Sequence, residues 1–290
     1  MVWASLWNAA RDGFLRPADL VGSVLAQAPT EGSDAVAERL LAMAGAATST
    51  YTRGSGRAAL VASAVARARS LLEEGSLGAD RARAWARYLT LTSTGVPAGE
   101  GERTGFLARL ADRTGQVPGL EVGPELSWSA RTALASTGDV TREDLDAWLG
   151  ASPTGEARVW HARSVAALPD GETRAAAWER VLSGELSNEM LSATLWGLSH
   201  SSWQGTELDE AFFREVLRFW DSHSIGMGIR FVNGAFPTHV DLDSPAHSTL
   251  PHGLAVTWLE DNPHAPSALR RLLIEHLDDI DRALRVQGAW

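Results

Sequence analysis

The chain has 290 residues, of which 44% are hydrophobic, and its 36 acidic side chains outnumber 26 basic ones to give a net charge of -10. It contains neither lysine nor cysteine. The lack of lysine excludes phosphate-loop, Schiff-base and Ser-x-x-Lys chemistry, and the lack of cysteine excludes disulfides, thiolate zinc sites and cysteine nucleophiles. The acidic balance argues against a nucleic-acid partner, and no apolar run reaches the ~20 residues of a membrane span.

Apolar residues at helical spacing predict a series of helices in the first half of the chain. These stripes fall within residues 3–10, 20–25, 36–47, 61–72, 85–92, 106–110 and 126–134. Pro17 and Pro124 stand at favourable first-turn positions, whereas Gly75 and Gly138 are expected to end their helices. The arginines of residues 53–87 are interpreted as a solvated helix face.

The second half continues the pattern, with stripes within residues 145–148, 157–168, 178–182, 190–198, 208–220 and 269–284. Thr141 and Asp144 predict a capping box, Asp170 and Ser187 are predicted N-caps, and Pro266 is expected to open the last helix. No stretch alternates in the manner of a β-strand. The sequence therefore predicts an all-α fold, an irregular HEAT-like α-superhelix of stacked helical hairpins.

One segment departs from the helical pattern within the single domain that we expect over residues 1–290. Residues 233–253 are rich in proline and histidine and are predicted to form a long irregular loop. His239, His247 and His252 supply imidazoles that zinc accepts, but their spacing fits no rigid metal motif. A solvated loop without a metal is the preferred interpretation, and metal binding is the alternative.

No catalytic residue is predicted in the chain. Ser199 and His200 are adjacent in the sequence, but the Gly-x-Ser-x-Gly elbow of serine hydrolases is absent. Adjacency in the sequence does not establish the hydrogen-bond geometry that a Ser–His pair requires. The residues themselves therefore reveal no reaction centre.

Several segments, in order along nearly the whole chain, resemble one known protein family. They are residues 2–13, 119–128, 175–178, 184–188, 219–230, 265–273 and 282–285. Together they resemble the C-terminal helical domain of the zinc aminopeptidase N family, in the form found in actinobacteria. None of these segments is a catalytic signature, so the resemblance depends on their order.

The resemblance implies a domain that closes the active-site chamber of a cytoplasmic zinc aminopeptidase and helps to select and position peptide substrates. Its partners would be the catalytic and β-domains of the same enzyme, together with peptides. The family's His-Glu-x-x-His and Gly-x-Met-Glu-Asn motifs are absent here. The chain is therefore expected to be inactive alone and without a cofactor, with zinc in the catalytic domain of the parent protein.

The resemblance also suggests substrate-contacting residues. Arg230 lies in a segment similar to the family's chamber-facing helices, where a guanidinium can pair with a peptide carboxylate, although a solvated surface arginine is the alternative. Asn188 and Glu189 are further candidates, or else capping residues of a helix. Two other functions stay open at this point: a stand-alone HEAT-like scaffold for protein binding, and a hydrolase that uses the histidine-rich loop.

Overall fold

The computed structural model describes residues 2–95, 101–114, 117–202, 206–244 and 249–290. Within them the first eight α-helices are Val2–Arg11 (α1), Pro17–Gln27 (α2), Asp34–Tyr51 (α3), Gly54–Glu74 (α4), Ala79–Ser93 (α5), Gly101–Ala111 (α6), Pro124–Thr137 (α7) and Arg142–Ala151 (α8). The others are Gly155–Ala167 (α9), Gly171–Leu182 (α10), Asn188–Ser199 (α11), Glu207–Ser222 (α12), Ile225–Ala235 (α13), Leu250–Asp261 (α14) and Ser267–Ala289 (α15). The described residues contain no β-strand, so the all-α prediction is confirmed. None of these helices is long and apolar enough to cross a membrane.

Local sequence signals set many of the helix ends. Thr141 and Asp144 form the predicted capping box, in which the Thr141 N–H donates to Asp144 Oδ2 at 2.8 Å and the Asp144 N–H donates to Thr141 Oγ1 at 3.2 Å. The carboxylate of Asp170 accepts from the N–H of Thr173 at 2.7 Å, as an N-cap should. Predictions that need only a few neighbouring residues are thus confirmed.

The irregular loop predicted for residues 233–253 is shorter in the structure. Helix α13 extends to Ala235 and α14 begins at Leu250, so helices occupy both ends of the predicted segment. The helical pattern of α13 is masked by glycines that its packing requires. A Cβ at Gly228 would lie 2.8 Å from the Trp220 ring, and a Cβ at Gly234 would lie 2.9 Å from Cβ of Leu195.

Alternate helices form the main layer of the fold. Each odd-numbered helix from α3 to α13 packs against the next odd-numbered one, and α15 also contacts α3. Each even-numbered helix from α2 to α14 packs on the odd-numbered helix that follows it. This arrangement agrees with the predicted solenoid-like stacking of hairpins, and the contact between α15 and α3 closes the stack into a ring.

Two large hydrophobic clusters lie in the two halves of the ring. One is built from residues of α1 to α7, and the other mainly from residues of α9 to α15. Trp7 of α1 packs against both clusters, and Tyr51 at the end of α3 belongs to the second one. The rings of Trp7 and Tyr51 meet edge to face with their centroids 6.0 Å apart. The two cores are therefore continuous at the junction of the first and last helices.

A buried amide completes this junction, which we call the seam. Gln287 of α15 is 1% exposed. Its Nε2 donates to the carbonyl oxygens of Thr50 (3.0 Å) and Val240 (2.9 Å), and its Oε1 accepts from the N–H of Leu242 at 3.1 Å. Its own carbonyl oxygen accepts from Nε of Arg53 at 2.7 Å. One side chain thus joins α3, α15 and the segment after α13.

Replacing Gln287 with leucine tests the seam. The variant removes the partner of the buried carbonyl of Val240 and of the partly buried backbone groups of Thr50 and Leu242, and a buried group left unpaired costs about 1–3 kcal/mol. We expect Gln287→Leu to lower the free energy of unfolding by about 2–5 kcal/mol in urea titrations. Gln27, which is exposed on α2, provides the control, because Gln27→Leu should change stability by less than about 0.5 kcal/mol. Equal effects of the two changes would contradict the structural role of Gln287.

Candidate functional site

A cavity of about 750 Å³ that is open to solvent lies inside the ring, between its two halves. Helices α3, α4 and α5 line one side, and α10, α11, the start of α12, the end of α13 and the following segment line the other. This volume lies within the range of ligand pockets, about 300–1,000 Å³. Much of the wall is apolar, including Trp178 and Leu195. We call this space the central cavity.

Two buried side chains of opposite charge line the central cavity. Arg174 of α10 is 6% exposed, and neither its Nε nor its Nη1 has a hydrogen-bond partner. Asp209, in the first turn of α12, is 4% exposed, and its Oδ2 likewise lacks a hydrogen-bond partner. Nε2 of His239 lies 3.6 Å from this oxygen, beyond hydrogen-bond distance. Two donors of Arg174 and one acceptor of Asp209 are therefore buried in the wall of the cavity without hydrogen-bond partners.

Burial changes the electrostatics of Arg174 without removing its charge. Desolvation lowers the pKa of Arg174 to about 10, against the opposing effect of the Glu207 and Asp209 carboxylates. The guanidinium is thus protonated at neutral pH. A charged group at this depth is costly unless a group of opposite charge pairs with it, and the Glu207 and Asp209 carboxylates offset part of this cost.

Carboxylates of the segment after α13 hold the N-terminus of α4 at the edge of the cavity. Asp241 Oδ1 accepts from the N–H of Gly54 at 2.9 Å, and Asp243 Oδ2 accepts from the N–H and the hydroxyl of Ser55 at 3.1 and 2.6 Å. The bonds from Ser55 hold the pKa of Asp243 below its usual range. Nη1 of Arg57 lies 3.9 Å from Asp241 Oδ2. The segment is thus anchored rather than simply solvated.

This contact also corrects the interpretation of the arginine-rich stretch of residues 53–87. Arg53 binds the carbonyl of Gln287, and desolvation lowers the pKa of the partly buried Arg57. The expectation of a solvated face is wrong at these two positions. It holds for Arg83 and Arg87, which are exposed.

The Ser199–His200 pair caps a helix. Both the Ser199 hydroxyl (3.0 Å) and Nδ1 of His200 (2.9 Å) lie within hydrogen-bond distance of the Trp196 carbonyl, and the His200 ring stacks on Trp196 with centroids 3.7 Å apart. The same arrangement recurs four residues after Phe219, where His223 stacks on Phe219 and meets its carbonyl at 2.9 Å. The repeated use at two helix ends indicates a structural device.

The proposed substrate residues lie outside the central cavity. Arg230 is exposed on α13 and donates from Nη1 to the carbonyl of Gly226, one turn earlier, at 3.0 Å. Asn188 and Glu189 are exposed in the first turn of α11, which Ser187 caps through the N–H of Met190. The structure does not bring these three residues together with the buried charges of the cavity.

The histidines proposed as alternative metal ligands have separate neighbours where they are described. His239 lies beside Asp209, and Nε2 of His252, on α14, lies 3.0 Å from Oδ1 of Asp281. His247 lies outside the described residues. Among the residues whose positions are given, no three His, Asp or Glu side chains are placed to hold a metal ion together.

Comparison with known proteins identifies the family. A family model described as the ERAP1-like C-terminal domain matches residues 1–282. The chain belongs to this family. It is also 29% identical over 294 aligned positions to aminopeptidase N of Streptomyces lividans, an alignment that covers 100% of this chain and 33% of that protein. The chain thus spans about a third of the length of this relative. The resemblance inferred from the ordered sequence segments is confirmed.

Sequence reasoning missed the charged residues of the cavity, although each carries a signal. Arg174 precedes Trp178 and Val181 by four and seven residues, which places a charged residue on the apolar stripe of α10. Asp209 stands in the same relation to Phe213 and Val216 on α12. A charge within a buried stripe marks a candidate site, but the sequence does not show that the two stripes face one cavity.

The pH dependence of stability tests the role of His200. Burial lowers the pKa of His200 from 6.5 to about 4, so the unfolded chain takes up a proton between these values that the folded chain does not. Stability from this residue is therefore complete above pH 6.5 and is lost as the pH falls towards 4.

The unmodified chain should lose unfolding free energy when the pH falls from about 7 to about 5. We expect this loss to be smaller by about 1–2 kcal/mol in the His200→Gln variant. Chemical denaturation at the two pH values measures it. Ser199→Ala keeps the imidazole and should retain the full pH dependence. An unchanged pH dependence in His200→Gln would show that this ring is not the group that resists protonation.

Proposed function

We propose that this chain is the C-terminal helical domain of an aminopeptidase, in which it closes the chamber of the catalytic part and helps to select and position peptide substrates. The family match over residues 1–282 and the identity to one third of an aminopeptidase N support the assignment. The partners of the domain are then the catalytic and β-domains of the same protein. A cytoplasmic location is part of the same proposal.

The central cavity is the observation that carries the selective role. It combines an apolar wall with fixed buried charges, and such a wall favours ligands that bring both apolar side chains and polar ends. Peptides have this composition.

Bond cleavage is assigned to another part of the parent protein. The resemblance implies a zinc ion there, but the residues of this chain do not fit that ion: the sequence lacks His-Glu-x-x-His, and the described residues offer no group of three metal-binding side chains. Arg230, Asn188 and Glu189 remain proposed contacts for parts of the substrate outside the central cavity. The domain then contributes to the reaction through the shape of its cavity and the charges in the cavity wall, which select and position the substrate.

Reducing the cavity volume in the full-length aminopeptidase tests the proposal. Ala46 lines the cavity, and Ala46→Trp should raise the Michaelis constant for peptides of about eight residues by about tenfold while leaving a short aminoacyl reporter substrate unaffected. Ala62, exposed on α4 outside the cavity, provides the control, and Ala62→Trp should change neither substrate.

Two results would contradict the proposal. Equal effects of Ala46→Trp on long and short substrates would remove the cavity from substrate selection. Peptidase turnover by this chain alone with added zinc, abolished by a chelator, would show that the chain carries its own catalytic centre. A reading frame that continues upstream into a His-Glu-x-x-His segment would support the assignment directly.

A further inference from the structure

The unused hydrogen-bonding groups of Arg174 define half of a binding site. Nε and Nη1 of its guanidinium carry N–H groups that point in different directions, and both nitrogens are buried without a hydrogen-bond partner in the wall of the central cavity. A carboxylate is a common partner of a guanidinium in proteins, because its oxygens accept charge-assisted hydrogen bonds from such N–H groups. The ligand that satisfies them carries a carboxylate group.

Asp209 defines the other half. Its Oδ2 is an unused acceptor in the wall of the same cavity, and both Asp209 and Glu207 act electrostatically on Arg174. A ligand that is only anionic would be repelled by these carboxylates. A ligand that also carries a cationic N–H group satisfies Asp209 and removes the repulsion.

The apolar wall beside Arg174 favours a side chain on the ligand. Trp178 lies one helical turn after Arg174 on α10, and Leu195 of α11 lines the same cavity. Both residues are buried, at 9% and 1% exposure. These residues make the wall beside Arg174 apolar, and a branched or aromatic side chain is the kind of group that such a wall favours.

We propose that the central cavity binds a free α-amino acid with a large apolar side chain, whose carboxylate pairs with Arg174 and whose ammonium group pairs with Asp209. Two covalent bonds separate the ammonium nitrogen from the carboxyl carbon in such a molecule, so one small ligand brings both charges to the site together. Leucine and phenylalanine have this chemistry. The carboxyl end of a longer peptide has the carboxylate but no ammonium group beside it.

One consequence rests on the proposed function. An aminopeptidase releases free amino acids, so the ligand would be a product of the parent enzyme, and the site would respond to its accumulation. The binding itself is a property of this chain and requires no catalysis. Its failure would leave the peptidase assignment intact, and failure of that assignment would leave the binding measurable.

Calorimetric titration of the chain with leucine and two analogues tests the site. Leucinamide lacks the carboxylate and N-acetyl-leucine lacks the ammonium group, and each should bind at least about tenfold more weakly than leucine. Failure of leucine to bind the unmodified chain up to its solubility limit would overturn the proposal. N-acetyl-leucine binding as tightly as leucine would also overturn it, because the site would then recognise a carboxylate alone.

Variants of the two charged residues assign the contacts. Arg174→Met should abolish leucine binding. Asp209→Asn should weaken leucine binding by at least about tenfold and strengthen the weak binding of N-acetyl-leucine, because it removes a carboxylate that repels this anion. Arg180, exposed on the same helix and outside the cavity, provides the matched control, and Arg180→Met should bind leucine normally. Circular dichroism verifies the fold of each variant. The analogue series on the unmodified chain decides the matter if Arg174→Met does not fold.

Discussion

Closure of the ring at the seam is the constraint on which the remaining structure depends. A stack of helical hairpins has two ends, each with an apolar face that must be covered. Here α15 covers the face of α3, and Trp7 and Tyr51 join the two hydrophobic clusters. Gln287 satisfies the backbone groups that this closure buries. The central cavity exists because the two ends meet without filling the space between them.

The buried polar side chains at the seam and those in the cavity differ in their hydrogen bonding. At the seam, the donors and acceptors of the Gln287 side chain are paired within the protein, as expected of buried polar groups. In the cavity, Arg174 and Asp209 are also buried, but some of their polar atoms have no hydrogen-bond partner. Burying charged groups without full hydrogen bonding lowers stability, so a ligand that bonds with them gains more free energy than it would at the surface.

The sequence predicts local features well and the site poorly, for physical reasons. Caps such as Thr141 with Asp144 depend on residues within one turn, and an apolar stripe shows which face of a helix is buried. The glycines of α13 weaken the apolar pattern by which a helix is recognised in the sequence. They are needed for close contacts with Trp220 and Leu195, which belong to other helices. Arg174 and Asp209 are 35 positions apart and meet only through tertiary packing. The substrate-contacting residues are suggested by the order of similar segments in the sequence, and this order does not show which way a side chain points.

The close approach of α13 to α11 at Gly234 has a further consequence for the dimensions of the cavity. Gly234 lines the cavity, and its missing side chain allows the backbone of α13 to lie against Leu195. Any larger residue at this position would act as a wedge between the two helices and displace the wall to which Leu195 belongs. Members of this family could therefore acquire a wider or narrower interior by exchanging one small residue, with every charged group retained.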